Sequence, residues 1–291
     1  MFVATLIADS RAPLDPALAE ALRNAWGGGD LIWLAPDIAA EFAVRQRPSN
    51  FDAIWSDLQS QGVDLCLQAA EGRRKSVLLA DMDSTMIGQE CIDELAAMAG
   101  VGDRVAAITA RAMNGEIGFE GALRERVALL AGLDAGVIDR VWTERITLAP
   151  GGDVLVATMR AHGAWCALVS GGFLPFTERV AARLGFDEHR ANPLPVADGR
   201  ITGVAAEPIL GQSAKVAALT EICVRRGLTP ADVLAVGDGA NDLPMLQRAG
   251  MGVALHAKPA VAAQVDLRIN HGDLTALLYL QGYGRDDFVA A

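Results

Sequence analysis

Two aspartates stand one residue apart, Asp81 and Asp83, directly after the apolar run Val77, Leu78, Leu79 and Ala80. Side chains alternate along extended backbone, so both carboxylates can project to one side with Met82 turned away. An isolated pair of this kind reads as a polar loop with an Asx turn. Three other sites change that reading. Ser170-Gly171-Gly172 follows the apolar run 165–169 and offers a hydroxyl and backbone N–H groups to an anion, with a plain helix N-cap as the competing role for Ser170. Lys215 lies near the start of a helical stretch running to Arg226, where a positive charge opposes the helix dipole unless something negative is close. A further buried run from Val233 ends in Gly237-Asp238-Gly239, with Asn241 and Asp242 just beyond.

Converging carboxylates repel one another unless a cation intervenes. Oxygen-only ligands suit Mg²⁺, which binds through one or two carboxylates and substrate phosphate. The same set holds an anion cradle and a lysine, so a phosphate is the substrate class it fits. With the phosphoryl charge screened, one carboxylate can attack phosphorus to give an aspartyl-phosphate while a second protonates the leaving alkoxide. That second acid must hold its proton above the ordinary aspartate pKa of about 3.9.

Each of these sites closes a buried, strand-length run. The runs at 76–80, 165–169 and 233–237, with 253–255 and 267–269, predict a doubly wound parallel α/β sheet of about five strands. In such a sheet the strand ends lie on one edge, where ligands bind. Between about 88 and 150 the pattern is helical, with Ile92, Leu95, Ala96 and Ala99 and again Leu123, Val127 and Leu130 recurring at steps of three and four. This predicts a helical insertion over the sheet end, in the place of a lid, with one more helical layer as the alternative. Residues 191–204, with Asp198-Gly199 at their centre, read as a β-hairpin. The tail from Gly284 is polar and reads as frayed.

Residues 1–72 run strand, helix, strand, strand, helix, strand, at 2–8, 14–25, 31–34, 39–44, 50–58 and 63–69. That order predicts a small α+β sandwich of ferredoxin-like type, similar to ACT-like domains. The charged stretch 71–75 reads as an exposed linker to a second unit, 76–291.

Composition narrows the partners. Net charge is −11 and pI about 4.8, the wrong sign for a nucleic-acid or anionic-membrane surface. No apolar run reaches membrane-spanning length, and Asp9 and Arg11 arrive too early for a signal peptide, so a cytoplasmic protein is expected. Cys66, Cys91, Cys166 and Cys223 are widely spaced and read as small buried hydrophobes. No HExxH, GxxxxGK[ST] or GxSxG occurs.

DMDST at 81–85, SGG at 170–172, Lys215 and GDGAND at 237–242 together resemble the four motifs of the haloacid dehalogenase superfamily of phosphotransferases. The match covers about 76–275. It implies Asp81 as nucleophile and Asp83 as general acid and base. It also implies Mg²⁺ on the carboxylates of Asp81 and Asp238 and the main-chain carbonyl of Asp83. Ser170, Gly171 and Lys215 would hold the phosphoryl group, with Asn241 and Asp242 completing the polar shell. DMDSTMIGQECIDELA, MNGEIGFEGALRERVALL and GDGANDLPML are similar to the phosphoserine phosphatase family within it. That resemblance implies hydrolysis of O-phospho-L-serine, the last step of L-serine biosynthesis. Glu90 would meet the substrate ammonium, Arg126 its carboxylate, and Met113 and Phe119 would line the cap side. A zwitterionic phosphate needs one anionic and one guanidinium contact, so the residue types are apt. Other small phosphate monoesters such as phosphothreonine or homoserine phosphate, or transfer to an alcohol, are competing readings. So is an amino-acid-sensing protein with a vestigial catalytic unit. The N-terminal unit is a candidate for regulation, homodimer formation or support of the cap.

Overall fold

The computed structural model describes residues 1–9, 12–113 and 116–290, with the side chain of Met113 outside the described residues. The N-terminal unit contains β1 (Phe2–Ala8), α1 (Pro16–Ala25), β2 (Ile32–Ala35), β3 (Ala39–Val44), α2 (Phe51–Ser60) and β4 (Val63–Ala69). Its strands form one antiparallel sheet in the order β2-β3-β1-β4, the ferredoxin-like arrangement. The period-two alternation of β1 assigns its faces. Ala4, Leu6 and Ala8 pack with Leu22 and Leu58 of the two helices, whereas Ile7 joins the larger core with Ile269 and Leu277. On that second face Asp64 is fully buried, and its carboxylate accepts backbone N–H bonds from Asn270, His271 and Gly272 at 2.8–3.0 Å.

The linker is pinned rather than free. Arg73 donates to both carboxylate oxygens of Glu41 and to Leu280 O, and Lys75 Nζ donates to Ala231 O at 2.7 Å. Glu71, Gly72 and Arg74 are exposed as the local charge predicts, while Arg73 and Lys75 are half-buried on partners more than thirty residues away in sequence.

The second unit opens with β5 (Val77–Ala80), followed by the cap helices α3 (Cys91–Met98), α4 (Gly102–Met113), α5 (Phe119–Ala128) and α6 (Val137–Glu144). The chain returns through α7 (Gly152–Ala161), β6 (Trp165–Phe173), α8 (Leu174–Leu184), β7 (Glu188–Asn192) and the two-residue strands β8 (Val196–Ala197) and β9 (Arg200–Ile201). It ends with α9 (Gln212–Arg226), β10 (Val233–Gly237), α10 (Leu243–Arg248), β11 (Met251–Leu255), α11 (Pro259–Ala262), β12 (Leu267–Ile269) and α12 (Ala276–Leu280). Six strands, not five, form a parallel sheet in the order β12-β11-β10-β5-β6-β7. The extra edge strand β7 reads Glu-His-Arg-Ala-Asn, too polar to register as a buried strand, and it takes the first two residues assigned by pattern to the hairpin. The hairpin itself is confined to β8 and β9 around Asp198-Gly199. The tail is docked rather than frayed: Phe288 stacks near Tyr279 at 5.2 Å, and Val289 N–H donates to Thr158 Oγ1.

The cap joins the core through two adjacent chain segments linked by an isolated antiparallel bridge. Ile87 bridges Leu148, Gly88 N–H donates to Thr147 O and Ala149 N–H to Met86 O. Arg124 of α5 also pairs with Glu207 at 2.7 Å, and Arg200 donates to Gly132 O. No helix among the described residues is long and apolar enough to cross a membrane. All four cysteines are free and buried, and burial pushes the Cys66 thiol up to about 12.

Candidate active site

Burial of β5 on both faces in mid-sheet carries Asp81 to the strand end, flanked by β6 and β10. Asp81 Oδ1 accepts the Met82 N–H at 2.8 Å and the Lys215 ammonium at 2.6 Å. Its Oδ2 makes no hydrogen bond among the described residues. Lys215, 1% exposed in the first turn of α9, also donates to Asp242 Oδ1 at 2.5 Å. The positive charge at that helix start is therefore explained by two carboxylates. Burial alone would push the Lys215 ammonium down, but Asp81 and Asp242 together hold it above its ordinary value. Asp81 is held well above the ordinary carboxylate range by burial and by Asp242, although Lys215 opposes the shift.

Asp242 Oδ2 accepts the Gly239 N–H at 3.0 Å, and the Asp242 carboxyl presses on Gly237 where any Cβ would collide. Close approach is what the glycines of this loop provide. Asp238 is pushed up to about 6 by burial and Asp242, and its Oδ1 accepts the Thr85 hydroxyl at 3.2 Å. Oxygens of Asp81, Asp238 and Asp242 lie within 4.8 Å of one another. Three buried carboxylates, two of them sharing the Lys215 ammonium, form an all-oxygen donor set suited to a hard divalent cation.

Asp83 faces elsewhere. Its Oδ1 accepts the Cys91 N–H at 3.0 Å and its Oδ2 the Ser170 hydroxyl at 3.4 Å. Burial and Glu90 push its pKa up to about 7, the property a proton donor near neutrality needs. The Ser170-Gly171-Gly172 stretch differs from expectation. It continues β6 through a register irregularity to Phe173 instead of turning into α8, so Ser170 is not the helix cap. Its hydroxyl accepts the Gly172 N–H at 2.8 Å, and Gly172 lies so close to Asp83 Oδ2 that a Cβ there would stand 2.5 Å from it.

On the cap side, Phe119 at the start of α5 sets its ring against Gly171 and Gly211. Glu90 at the start of α3 accepts the Ser84 hydroxyl at 2.8 Å. Arg126 is partly buried; burial pulls its guanidinium down while Asp93, Glu90 and Asp83 oppose that shift, which sets it among the acids of the cleft. Asn241 reaches back over Gly239. Met113 ends α4, but its side chain lies outside the described residues.

Pattern reasoning missed three residues. Thr85 orients Asp238, and its position two after Asp83 was the available signal. Asn192 donates to Gly171 O and Leu210 O and accepts the Leu210 N–H, tying the end of β6 to the approach to Lys215. Its polar edge strand gave no hydrophobic signal. Ser84, at φ +54°, takes the left-handed turn that separates Asp83 from the cap, and a lone serine in sequence carries no such mark.

Residues 78–247 match the family described as haloacid dehalogenase-like hydrolase. The chain is 40% identical over 260 residues to a phosphoserine phosphatase of Streptomyces coelicolor, covering 88% of this chain and 63% of that protein. It thus spans under two thirds of that relative's length. Among solved structures, a haloacid dehalogenase family hydrolase of Salmonella enterica serovar Typhi superposes with a TM-score of 0.86 at 28% identity, covering 96% of this chain and 97% of that one. A phospho-aspartyl intermediate analogue of phosphoserine phosphatase superposes with a TM-score of 0.66 at 38% identity, over 71% of this chain and 98% of that one.

Proposed function

The chain belongs to the haloacid dehalogenase-like hydrolase family, and from that premise we propose that it hydrolyses O-phospho-L-serine to L-serine and phosphate through Asp81. The observation that carries this reading is the division of labour between two aspartates one residue apart. Asp81 has one oxygen fixed by Lys215 and Met82 N–H and the other without a hydrogen bond among the described residues, whereas Asp83 holds a raised pKa beside Ser170. Asp81 Oδ2 attacks phosphorus as the serine alkoxide departs, and Asp83 supplies the proton that alkoxide needs. Asp83 then takes a proton from the water that attacks the aspartyl-phosphate. Lys215, with the Ser170 hydroxyl and the backbone of Gly171, draws the phosphoryl oxygens into line.

Asp81 and Asp238, with the main-chain carbonyl of Asp83, would hold Mg²⁺. Bound there, the ion would supply the positive charge that lets crowded carboxylates ionise and that screens the phosphoryl oxygens. This gives a test apart from turnover. Asp238 at about 6 and Asp81 well above its ordinary value both exceed the unfolded reference. Carboxyls raised in this direction contribute stability below the unfolded pKa of about 4 and lose it as pH rises through their folded values. Mg²⁺ binds the ionised forms, so its stabilisation should grow over the same window. The melting temperature should rise more on adding Mg²⁺ at about pH 7.5 than at about pH 5. An equal rise at both would mean that ionisation of these carboxyls is not linked to the metal.

Substrate choice rests on Glu90 and Arg126 at the cap. Arg126→Ala should lower kcat/KM for O-phospho-L-serine by about 30- to 100-fold, the loss expected for a charge-assisted pair. Turnover of p-nitrophenyl phosphate, which lacks a carboxylate, should change far less. The same panel, extended to phosphothreonine and homoserine phosphate, ranks the neighbouring substrates. A uniform loss on all of them would remove Arg126 from carboxylate recognition.

A further inference from the structure

Ser84 holds a backbone conformation that its own side chain makes costly. At φ +54° it occupies the left-handed region between Asp83 and Thr85, where a glycine would sit without that cost. Other residues persist in such conformations at functional sites, where the surroundings over-determine them. Here the serine adds a hydroxyl, which donates to Glu90 Oε1 at 2.8 Å. We propose that Ser84 is a positioning residue for substrate choice, its hydroxyl holding the Glu90 carboxylate toward the substrate ammonium. The role rests on the reading of Glu90 as the ammonium contact.

Glu90 needs such a partner. Its side chain is exposed, long and freely rotating, and the Ser84 hydroxyl is the one hydrogen-bond donor to its carboxylate among the described residues. Two positive groups compete for a loose carboxylate at this point. Glu90 stands in the N-cap position of α3, where the helix dipole draws an anion onto the first turn, yet its side chain makes no capping bond. The Cys91 N–H is taken by Asp83 instead. Arg126 is the second attraction, close enough for Glu90 to act on its guanidinium. The Ser84 hydroxyl sets the carboxylate against both.

The serine is itself fixed. Its N–H donates to Gln89 O at 3.2 Å, closing the turn that ends at Glu90. Gln89 is anchored in turn on the second segment joining cap to core: its Oε1 accepts the Thr147 N–H and its amide donates to the Thr147 hydroxyl, both at 2.9 Å. The hydroxyl therefore points from a braced loop.

The test compares O-phospho-L-serine with its deamino analogue, which keeps the phosphate and the carboxylate but lacks the ammonium. Ser84→Gly should lower kcat/KM for O-phospho-L-serine by about tenfold, chiefly through KM, and for the analogue by less than about twofold. Ser84→Ala keeps the backbone strain that Ser84→Gly relieves, so a selective loss common to both variants belongs to the hydroxyl. In a Glu90→Ala background neither change should cost anything further. A Glu90→Ala loss equal on both substrates would remove the ammonium contact, and this role with it. If Glu90→Ala is selective, then Ser84 variants that lower both substrates alike, that lower neither, or whose losses add to that of Glu90→Ala would overturn the role of Ser84 alone.

Discussion

Replacing Asp81 with asparagine should lower kcat/KM for phosphate release from O-phospho-L-serine by at least about 10⁴-fold, the scale seen when a covalent nucleophile is removed. The amide keeps the shape of the carboxylate and its acceptor for Met82 N–H and Lys215, but cannot attack phosphorus. The fold should survive. Asp81 is 5% exposed and its pKa is raised, so the charged carboxylate burdens the metal-free site at neutral pH and a neutral amide does not. Denaturant midpoints equal to or above wild type, beside lost turnover, are the expected pair of results. Near-normal turnover in a folded sample would move the nucleophile elsewhere.

Lys215→Met should damage both stability and chemistry. The ammonium lies 2.6 Å from Asp81 and 2.5 Å from Asp242, all three groups being almost wholly buried. Removing one member of a buried ionic cluster leaves uncompensated charge and costs about 3–5 kcal/mol. Phosphate release should fall to background, because the phosphoryl oxygens lose their counter-charge and Asp81 its fixed oxygen. A second change separates the two effects. Lys215→Met with Asp242→Asn should recover part of the stability, since one of the two stranded carboxylates is gone, without recovering turnover. Unfolding measurements within about 1 kcal/mol of wild type for the single variant would show that the cluster is not held by this lysine.

The strands that carry the candidate site were legible because mid-sheet burial writes continuous apolar runs, and each run stops abruptly at a polar motif. Val77–Ala80 and Val233–Gly237 are such runs, and Asp81 and Asp238 follow them directly. The cap helices were legible from the three- and four-residue spacing of Leu95, Leu123 and Val127, all of which enter the core. What escaped depends on contacts distant in sequence. β7 is an edge strand whose polar residues pair with α9: Arg190 reaches Glu221, and Arg225 reaches Glu188. Arg73 looked like linker charge until Glu41 and Leu280 O claimed it. Ser170 looked like a helix cap because a serine before two glycines has that signature, whereas pairing with β7 carries the strand on to Phe173. Asp64 was unremarked within an apolar strand, yet it secures the 270–272 loop that joins the two units.

Trapping the covalent intermediate tests the central claim most directly. Wild-type protein turning over O-phospho-L-serine labelled in its phosphate, in the presence of Mg²⁺, is quenched in acid and digested. Label should reside on the peptide containing Asp81, be released by hydroxylamine, and be absent from Asp81→Asn. Rapid phosphate release without any protein-bound label, or label on a peptide lacking Asp81, would contradict the account.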